Sequence, residues 1–448
     1  MRRPNVIFVF GDQWREQATG YSGNPDVQTP NLDKLAEESI NFTNAMSGCP
    51  VCSPYRASLL TGQHSLTHGV FVNDVYLQQS PTSLANTFKD NGYETAYIGK
   101  WHVDGHGRSN YIPPERRQGF DYWKVLECTH DYNHSPYYAG DADEMLYWKG
   151  YDAIAQTSDA QRYISAYEKD NPFLLVLSWG PPHAPYHTAP EEFRSLYSPD
   201  DIHLRPNVPE ELSGQAREWI AGYYAHCTAL DGCIGDLLKT LEEEGIADDT
   251  IFVFTSDHGD MLGSHNQQKK QRPWDESIRV PFLLRYPKLH GRKGRELDAF
   301  IDAPDIMPTL LGLCDLSIPD TVEGIDFSGY IKGEYDPSDK SALIMCPHPF
   351  GQWTPKNYGG REYRGLRTLR YTYTRTLNGA WLLYDNDEDP YQLNNLVNKP
   401  EYAEIQAELD ARLQEKLYAR GDEFLPGMEY IRRWNYKVSE NGTVPYTN

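Results

Sequence analysis

The sequence predicts a layered α/β fold, in which a large, mostly parallel sheet lies between helices and is followed by a smaller C-terminal subdomain. Two features predict it: short apolar segments typical of buried strands, and helical patterns that alternate with them. The segments are rich in β-branched or aromatic residues and are bounded by turn residues, as is usual for strands buried on both faces. They are NVIFVF at 5–10, YETAYIG at 93–99, FLLVLSW at 173–179, IFVFTS at 251–256 and VPFLLRY at 280–286.

Three stretches between these segments have the apolar spacing of helices. Residues 29–46 begin with Thr-Pro, a frequent helix start, and residues 83–92 end on Gly92, which suits the left-handed conformation that closes many helices. Residues 218–246 form the longest helical candidate. The alternation is that of βαβ units, which place parallel strands side by side.

The composition of the chain changes past about residue 320, where aromatic residues and glycine become frequent and the apolar runs become shorter. Short alternating segments of this kind are typical of antiparallel strands. We therefore expect residues 1–345 to form a catalytic α/β domain. Residues 346–448 are expected to form a C-terminal subdomain with a short antiparallel sheet and one helix, which contributes to the substrate cleft.

Composition limits the class of protein. The chain has 448 residues, and the apolar and aromatic fraction of 39% is that of a globular protein. No run of about 18 apolar residues occurs, so neither a membrane span nor a membrane partner is expected. Lysine and arginine number 42 against 64 aspartates and glutamates, and the net charge of −22 argues against nucleic acid as a partner and repels long polyanions.

The cysteines and the N-terminus bear on location. The 7 cysteines are odd in number and scattered, which does not indicate a disulfide framework, so reduced thiols are expected. The start MRRPNVIFVFGD is basic, but Asp12 interrupts its apolar run too early for a secretory signal. The chain as given therefore favours the cytoplasm, or the periplasm if a leader was removed.

Polar side chains follow four of the predicted strands at the points where the strands end. Ligands of open α/β sheets bind at the carboxyl ends of strands, so we expect these side chains to converge on one crevice. They are Asp12 and Gln13, Lys100 and His102, His183, and Asp257 and His258. Two carboxylates in one crevice are costly unless a cation lies between them. Oxygen-rich ligation favours a hard cation, most simply Ca²⁺, with Mn²⁺ and Mg²⁺ as alternatives.

The segment CPVCSPYRASLLTG at 49–62 contains the most specific pattern of the chain. Cys49 and Cys52 form a CxxC, a spacing found in redox pairs and in half of a zinc site. A zinc site needs a second ligand pair, and none is formed by the other cysteines, Cys128, Cys227, Cys233, Cys314 and Cys346. Cys52, Pro54 and Arg56 also stand in the spacing CxPxR, which a redox pair does not explain.

With CxPxR followed by ASLLTG, the chain resembles the type I, formylglycine-dependent sulfatases of the alkaline phosphatase superfamily. Further motifs of that family occur in order along most of the chain. They are NVIFVFGDQ, GKWH at 99–102, PPHAPY at 181–186, TSDHG at 255–259, KKQRPWDESIRVPFL with Lys270, and LYDNDEDPYQLNNL. The resemblance implies an alkaline-phosphatase-like fold and an enzyme that hydrolyses sulfuric esters.

The same resemblance implies that a maturation enzyme oxidises Cys52 to Cα-formylglycine. One hydroxyl of the hydrated aldehyde would attack sulfur, and the other would later help to eliminate sulfate. The metal ligands implied are Asp12, Gln13, Asp257 and His258. Many sulfatases have Asp-Asp and Asp-Asn at these two places, whereas choline sulfatases and phosphonate monoester hydrolases have a pair similar to the one in this chain. This departure weakens the argument for Ca²⁺ and keeps Mn²⁺ as an alternative.

The remaining catalytic roles also come from the resemblance. Arg56 would hydrogen-bond the diol and the metal ligands, and Lys100 and Lys270 would pair with sulfate oxygens. His183 or Lys270 would protonate the departing alcohol. His102 would take a proton from the second hydroxyl, a task suited to histidine because its pKa lies near working pH.

Two segments rich in Tyr, Trp, His and Gly, at 121–150 and 347–364, suit loops over an active site, where rings stack on sugars. From these loops we expect His130, Trp353 and Arg361 to contact substrate. A chain with 32 tyrosines also spreads aromatic residues without functional meaning, so this alternative stays open. Asn73, in HGVFVND, is either part of the surroundings of the metal or an ordinary turn residue.

These motifs predict a sulfatase that cleaves a sulfate monoester, on a sulfated small molecule or saccharide, through formylglycine and a divalent metal. The negative net charge favours short or sparsely charged substrates held by a local cluster of lysine and arginine. Two alternatives stay open: a phosphonate monoester or phosphodiester hydrolase of the same superfamily, and an unmatured protein that binds sulfated glycans while Cys52 remains a thiol. The sulfate position, the choice between exo and endo action, and the oligomeric state are open.

Overall fold

A computed structural model describes residues 3–168 and 170–445. Its main sheet is built from β1 (Asn5–Asp12), β2 (Ile40–Phe42), β3 (Glu94–Lys100), β4 (Tyr122–Leu126), β5 (Pro136–Ala139), β6 (Leu146–Tyr147), β7 (Phe173–Pro182), β8 (Thr250–Ser256), β9 (Phe282–Arg285) and β10 (Arg295–Leu297). The spatial order is β10-β2-β9-β8-β1-β7-β3-β4-β5-β6, so β1 lies in the middle between β7 and β8.

The helices of the first part of the chain are α1 (Pro30–Glu37), α2 (Cys52–Thr61), α3 (Ser65–His68), α4 (Leu84–Asp90), α5 (Asp152–Ser165), α6 (Glu191–Arg194) and α7 (Ser213–Glu243). The later ones are α8 (Asp275–Ile278), α9 (Pro287–His290), α10 (Ala303–Leu313), α11 (Ser328–Ile331), α12 (Ala403–Ala419) and α13 (Gly427–Arg433). No helix of the described residues is both long and apolar enough to cross a membrane.

The sheet separates two hydrophobic layers, and β1 shows how. All eight residues of β1 are buried, and its side chains point alternately to opposite faces. Val6, Phe8 and Phe10 belong to one apolar cluster, whereas Ile7 and Val9 belong to the other. Because both faces are covered, the strand is apolar at successive positions, and this pattern identified the central strands in the sequence.

The predicted α/β fold is confirmed, and β1, β3, β7 and β8 are parallel as expected. The strand predicted at 280–286 is β9, which pairs antiparallel with β8 and with β2. A parallel neighbour requires a crossover, usually a helix. The chain between β8 and β9 contains the four-residue helix α8 and otherwise irregular backbone, so β9 returns beside β8 in the opposite direction.

Two local predictions were wrong. The helix expected at 29–46 ends as α1 at Glu37, and Ile40–Phe42 form β2, which pairs with β9 and β10. The secondary structure of this short segment is set by the strands it can pair with at the side of the sheet. The helical spacing of its apolar residues does not determine it. Residues 121–150, expected to be loops, contain β4, β5 and β6, which extend the main sheet. The long helix predicted at 218–246 is confirmed as α7, which starts earlier, at Ser213.

The predicted C-terminal antiparallel sheet and helix are confirmed. The sheet consists of β11 (Ser341–Cys346), β12 (Tyr363–Thr368), β13 (Tyr371–Thr376) and β14 (Gly379–Asp385) in that order. Leu409, Leu413 and Leu417 of α12 pack on this sheet, in a cluster that also includes Cys49. The Met345 amide donates to the Gly48 carbonyl at 2.7 Å, so the small sheet is joined to the segment that precedes α2.

Candidate active site

The CxPxR segment forms the first turn of α2, with Cys52 as the first helical residue. The side chain of Val51, which precedes the helix, cannot cap it; instead the Ser53 amide donates to Asn73 Oδ1 at 3.0 Å. Cys52 is 1% exposed and lies at the positive end of the helix, where negative charge is stabilised. Asn73 therefore acts as a helix cap from outside the helix and also lines the cleft around Cys52.

Asp12, Asp257 and His258 surround Cys52. Asp12 ends β1, and Asp257 and His258 follow the neighbouring β8, so the sheet itself brings them together. Cys52 Sγ lies 3.6 Å from Asp12 Oδ1 and 3.3 Å from His258 Nε2. One ligand atom from each of the four residues lies within 4.8 Å of the others, and all four are buried.

Gln13 completes this group. Its backbone has φ 73°, its amide N–H donates to Asp257 Oδ1 at 2.9 Å, and its Nε2 donates to Asp260 Oδ2 at 2.7 Å. Its Oε1 is buried without a hydrogen-bond partner among the described residues. A buried acceptor without a donor is costly, and a cation would satisfy it.

The tautomer of His258 is also suited to binding a cation. Its Nδ1 lies 2.9 Å from the Gly259 carbonyl, so Nδ1 carries the proton that is donated. The lone pair of Nε2 then faces Asp257 Oδ1 at 3.5 Å and Asp12 Oδ1 at 3.6 Å. Two carboxylates and one imidazole nitrogen thus meet, and these are donor types suited to a divalent cation.

Arg56 fixes the carboxylates from the side of α2. Its Nη2 donates to Asp12 Oδ2 at 3.2 Å and to Asp257 Oδ2 at 3.1 Å, and its Nη1 donates to the Lys100 carbonyl at 2.8 Å and Ser178 Oγ at 2.7 Å. The guanidinium therefore ties four parallel strands to the helix. The structure brings Arg56 into contact with two of the predicted metal ligands, Asp12 and Asp257.

Two lysines add positive charge on the cleft side. Lys100 Nζ lies 2.5 Å from Asp12 Oδ2, and Lys270 Nζ lies 2.8 Å from Cys52 Sγ and 3.2 Å from His258 Nε2. Burial raises the pKa of the Asp12 carboxyl, but Lys100 and Lys270 outweigh burial and hold that pKa well below its ordinary value. For Asp257, burial and the Asp12 carboxylate raise the pKa to about 6.

The site also favours an anion at residue 52. Burial and the Asp12 carboxylate raise the pKa of the Cys52 thiol, whereas Lys100, Lys270 and His258 lower it, and the net pKa lies well below the ordinary value. The surroundings of this side chain therefore stabilise a negatively charged nucleophile more than a neutral one.

His102 and His183 lie on the wall of the cleft, and their pKa values are shifted in opposite directions. His102 Nε2 lies 2.9 Å from Asp74 Oδ1, and its Nδ1 has no partner among the described residues. Burial lowers the pKa of His102, but Cys128 and the hydrogen bond to Asp74 raise it to about 10. His183 Nδ1 donates to the Ala184 carbonyl at 2.8 Å, and burial and Lys270 hold its pKa well below the ordinary value.

The three residues predicted to bind substrate have different positions. His130 lines the cleft and stacks on His183, with ring centroids 4.6 Å apart. Trp353 is 1% exposed and packs against Tyr363, so it belongs to the core and its ring is not available for stacking on a sugar. Arg361 lies over the ring of Trp381, outside the residues that line the cleft.

Sequence reasoning missed the residues that hold the predicted ones in place. Asp74 has φ 67° and pairs with both His102 and Arg108, and Arg108 lines the cleft. Asp260 is fully buried and accepts from Gln13 and Tyr186. Asp74 directly follows Asn73, and Asp260 lies in the TSDHG region, but nothing in the sequence indicates which distant side chains they contact.

The cleft has a volume of about 250 Å³ and a wall rich in positive charge. It is lined by Cys52, Asn73, Asp74, Lys100, His102, Arg108, His130, His183, Lys269, Lys270, Gln271, Arg272, Phe350, Gly351, Gln352 and Thr443. Phe350, Gly351, Gln352 and Thr443 come from the C-terminal part of the chain, so both parts form the wall. A cationic cleft in a protein of net charge −22 is suited to a small anion.

Comparison with known proteins decides the family. Residues 4–316 match the family model described as Sulfatase. The chain belongs to the sulfatase family. It is thus a sulfuric ester hydrolase of the alkaline phosphatase superfamily. Residues 263–419 of this sulfatase also match the model described as N-sulphoglucosamine sulphohydrolase, C-terminal.

Relatives of this sulfatase resemble it over nearly the whole chain. It is 49% identical to an "Ulvan-active sulfatase" of Formosa agariphila, over 99% of this chain and 87% of the relative. A solved structure from work on the metabolism of multiple glycosaminoglycans by Bacteroides thetaiotaomicron has a TM-score of 0.85 at 30% identity, and covers 96% of this chain and 99% of that one. Another, in complex with its substrate D-glucosamine-2-N,6-O-disulfate, has a TM-score of 0.84 at 25% identity, with coverage of 95% and 99%.

Proposed function

We propose that this sulfatase hydrolyses sulfate monoesters of carbohydrates, with residue 52 as formylglycine and a divalent metal beside it. The observation that carries the proposal is the meeting of Cys52 with two carboxylates, an imidazole and two lysines at one end of a cationic cleft. These groups come from five distant parts of the chain. Their arrangement suits attack on a small anionic ester better than redox chemistry of Cys52.

The metal would be held by Asp12, Gln13, Asp257 and His258. The unpartnered Oε1 of Gln13 and the position of His258 Nε2, which faces both carboxylates, support this set. A bound divalent cation polarises the sulfate oxygens and the nucleophile. Three oxygen donors favour Ca²⁺, and the nitrogen donor keeps Mn²⁺ and Mg²⁺ as alternatives.

Residue 52 would supply the nucleophile, and formylglycine there provides two hydroxyl groups in place of one thiol. Cys52 Sγ marks the position of the attacking oxygen. Lys270 Nζ contacts this position at 2.8 Å and is aligned to stabilise its negative charge. The lowered pKa of the Cys52 thiol supports the same role, since it reports how strongly these surroundings favour an anion.

The other residues orient the substrate and move protons. Arg56 holds the two carboxylates at a fixed separation, and Lys100 lies on the cleft wall where sulfate oxygens would be bound. His102, oriented by Asp74, presents Nδ1 without a hydrogen-bond partner among the described residues. Because its pKa is raised to about 10, the ring is protonated near neutral pH, and His102 would become the proton acceptor only after it has given up a proton. The low pKa of His183 makes its ring neutral, so Lys270 is the better supported donor to the departing sugar oxygen.

A carbohydrate is the proposed carrier of the sulfate because relatives that act on carbohydrates align with this chain over nearly its whole length. The 49% identical relative is named for ulvan, and a structural relative was solved with a sulfated glucosamine. The cleft, with His130 stacked on His183, leaves room for a polar ring next to the sulfate.

The test begins with the state of residue 52. The protein is produced with a formylglycine-generating enzyme, and mass spectrometry of the peptide that contains Cys52 measures the converted fraction. The matured protein is then assayed on 4-nitrophenyl sulfate and on a panel of defined sulfated saccharides that includes ulvan oligosaccharides. We expect sulfate release, and we expect Cys52→Ala to fold normally and to have no turnover. Normal turnover by Cys52→Ala would contradict the assignment of the nucleophile.

Gln13 and His258 favour a second candidate, a phosphonate monoester or phosphodiester hydrolase, because similar pairs occur in that branch of the superfamily. Parallel kinetics on 4-nitrophenyl sulfate and 4-nitrophenyl phenylphosphonate separate the two. We expect the larger kcat/KM for the sulfate; a larger value for the phosphonate would make the second candidate the main activity. A protein whose Cys52 remains a thiol in its own host, and which binds saccharides without turnover, would instead be a binding protein.

A further inference from the structure

A second cavity of about 430 Å³ adjoins the catalytic cleft. We call it the side cavity. Lys269 and Gln352 line both spaces, so the two are neighbours that share a wall. The side cavity is otherwise lined by residues 184–187, by the start of α7, and by Asp260, Leu262 and Gln268 of the loop after β8. None of these residues is proposed to contact the reacting sulfate. Its volume is within the range of small-molecule sites.

The wall of the side cavity combines one large aromatic face with amide side chains. Gln215 and Trp219 lie four residues apart on α7 and therefore on the same face of the helix. Trp219 is half-buried, with its inner edge packed on the core. Gln268 and Gln352 contribute two further amides. No hydrogen bond of the described residues involves the side chains of Trp219, Gln268 or Gln352, whereas Gln215 Nε2 donates to Glu218 Oε2 at 3.3 Å on the same wall.

This combination suits a sugar ring. An indole ring offers a flat apolar face and one N–H donor, and each glutamine amide offers both a donor and an acceptor. A sugar presents C–H groups on its ring face and hydroxyl groups at its rim, so it pairs with both. The Lys269 ammonium lies at the boundary between the two cavities without an ion pair among the described residues, where it would meet the linkage region or an anionic substituent.

Hydrogen bonds through Asp260 join the wall of the side cavity to the catalytic site. Tyr186, on its wall, donates to Asp260 Oδ2 at 2.5 Å, and Asp260 Oδ1 accepts from the Lys269 amide at 2.9 Å. The same Asp260 also accepts from Gln13, a proposed metal ligand. Gly222 lets α7 approach closely, since a Cβ there would lie 2.6 Å from the Tyr186 carbonyl oxygen. A preformed wall lowers the entropy cost of binding.

We propose that the side cavity is a saccharide subsite, which binds the sugar unit next to the sulfated one. The substrate is then an oligosaccharide or a longer chain, with its sulfated unit in the catalytic cleft, its neighbour on Trp219, and Lys269 and Gln352 between them. This inference rests on the proposed function and adds chain length as a determinant of activity.

The experiment compares matured protein on a ladder of substrates: 4-nitrophenyl sulfate, the sulfated monosaccharide identified by the panel, and its oligosaccharides of two to six units. We expect kcat/KM to rise by about tenfold when the second sugar unit is added, the gain of one well-placed aromatic contact. Trp219→Ala and Gln215→Ala should remove most of this gain, mainly through a higher KM, while their turnover of 4-nitrophenyl sulfate stays close to that of the unmodified sequence.

Tyr418→Ala serves as the matched control, because Tyr418 is an aromatic residue with 89% exposure on the remote helix α12. Tyr418→Ala should leave kcat/KM unchanged for every substrate of the ladder. Gln215 is exposed, so its variant tests the subsite even if Trp219→Ala weakens α7. Equal kcat/KM for monosaccharide and oligosaccharide, or an equal loss on all substrates in both variants, would overturn the inference. Failure of the matured protein to release sulfate from any probe would instead overturn the proposed function.

Discussion

Arg56→Met tests how the two buried carboxylates are balanced. Arg56 is 1% exposed, and one of its amino groups donates to both Asp12 and Asp257. Methionine keeps much of the apolar stem but removes the charge and every donor. The variant therefore leaves two carboxylates in the interior with fewer cations around them.

Removal of one partner from a buried ion pair costs roughly 3–5 kcal/mol, because the other charge stays behind without compensation. We expect Arg56→Met to lower the free energy of unfolding by about this amount in the presence of a chelator. A divalent cation bound to Asp12 and Asp257 supplies positive charge at the same place, so the loss should be smaller when Ca²⁺ or Mn²⁺ is added. Because Arg56 also positions the strand ends, kcat/KM should fall by about 100-fold even with metal.

Urea unfolding with EDTA, and again with saturating Ca²⁺ or Mn²⁺, measures both effects. Arg117→Met is the matched control: Arg117 is also 1% exposed, but it donates to the carbonyls of Ile112 and Gly140 and pairs with the exposed Asp141. None of these partners is a proposed metal ligand. Its loss of stability should be the same with and without metal. If Arg56→Met loses equal stability in both conditions, or less than about 1 kcal/mol in either, the charge-balance argument is wrong.

Three further predictions follow from named contacts. Asp257→Ala should lose bound metal and sulfate release together, which metal analysis of the purified protein and a 4-nitrophenyl sulfate assay would measure; full activity without metal would contradict it. Asp74→Asn keeps the shape but removes the charge beside His102, so the pKa of His102 should fall, and the limb of the pH–rate profile that reports His102 should move down by about 1 to 3 pH units; an unchanged profile would exclude this positioning role. Glu127 directly follows β4, is 1% exposed and accepts from the Asp104 and Gly105 amides. Burial raises the pKa of its carboxyl from 4.5 to about 7, so the stability provided by the neutral carboxyl is present below pH 4.5 and is lost as the pH rises through 7. Glu127→Gln should therefore gain about 3 kcal/mol relative to the unmodified sequence between pH 4.5 and 8 in urea unfolding, and no relative change across that range would refute the assignment.

The central sheet and the position of the site were predictable because both depend on local patterns. Continuous apolar runs identify strands buried on two faces, and polar residues at their carboxyl ends must meet when the strands are parallel.

The features that could not be predicted from the sequence depend on contacts between residues that are distant along the chain. Ile40–Phe42 become a strand only because β9 and β10 are there to pair with them. Trp353 was expected to stack on a sugar of the substrate, but the ring of Tyr363 and the guanidinium of Arg272 enclose it. Asp74 supports His102 across 28 positions, a contact that no local spacing indicates.

The burial of Cys52 determines when residue 52 can be modified. Lys270, which is 218 positions later in the chain, contacts its sulfur, and the Gln271 amide donates to the Pro50 carbonyl. A modifying enzyme has to take hold of an extended peptide, and the finished molecule offers only 1% of this side chain. If residue 52 is formylglycine, as proposed, its oxidation has to happen during synthesis or before the chain closes. The active fraction of a preparation would then depend on the relative rates of modification and folding, so slower folding in a cool culture should raise the yield of competent enzyme.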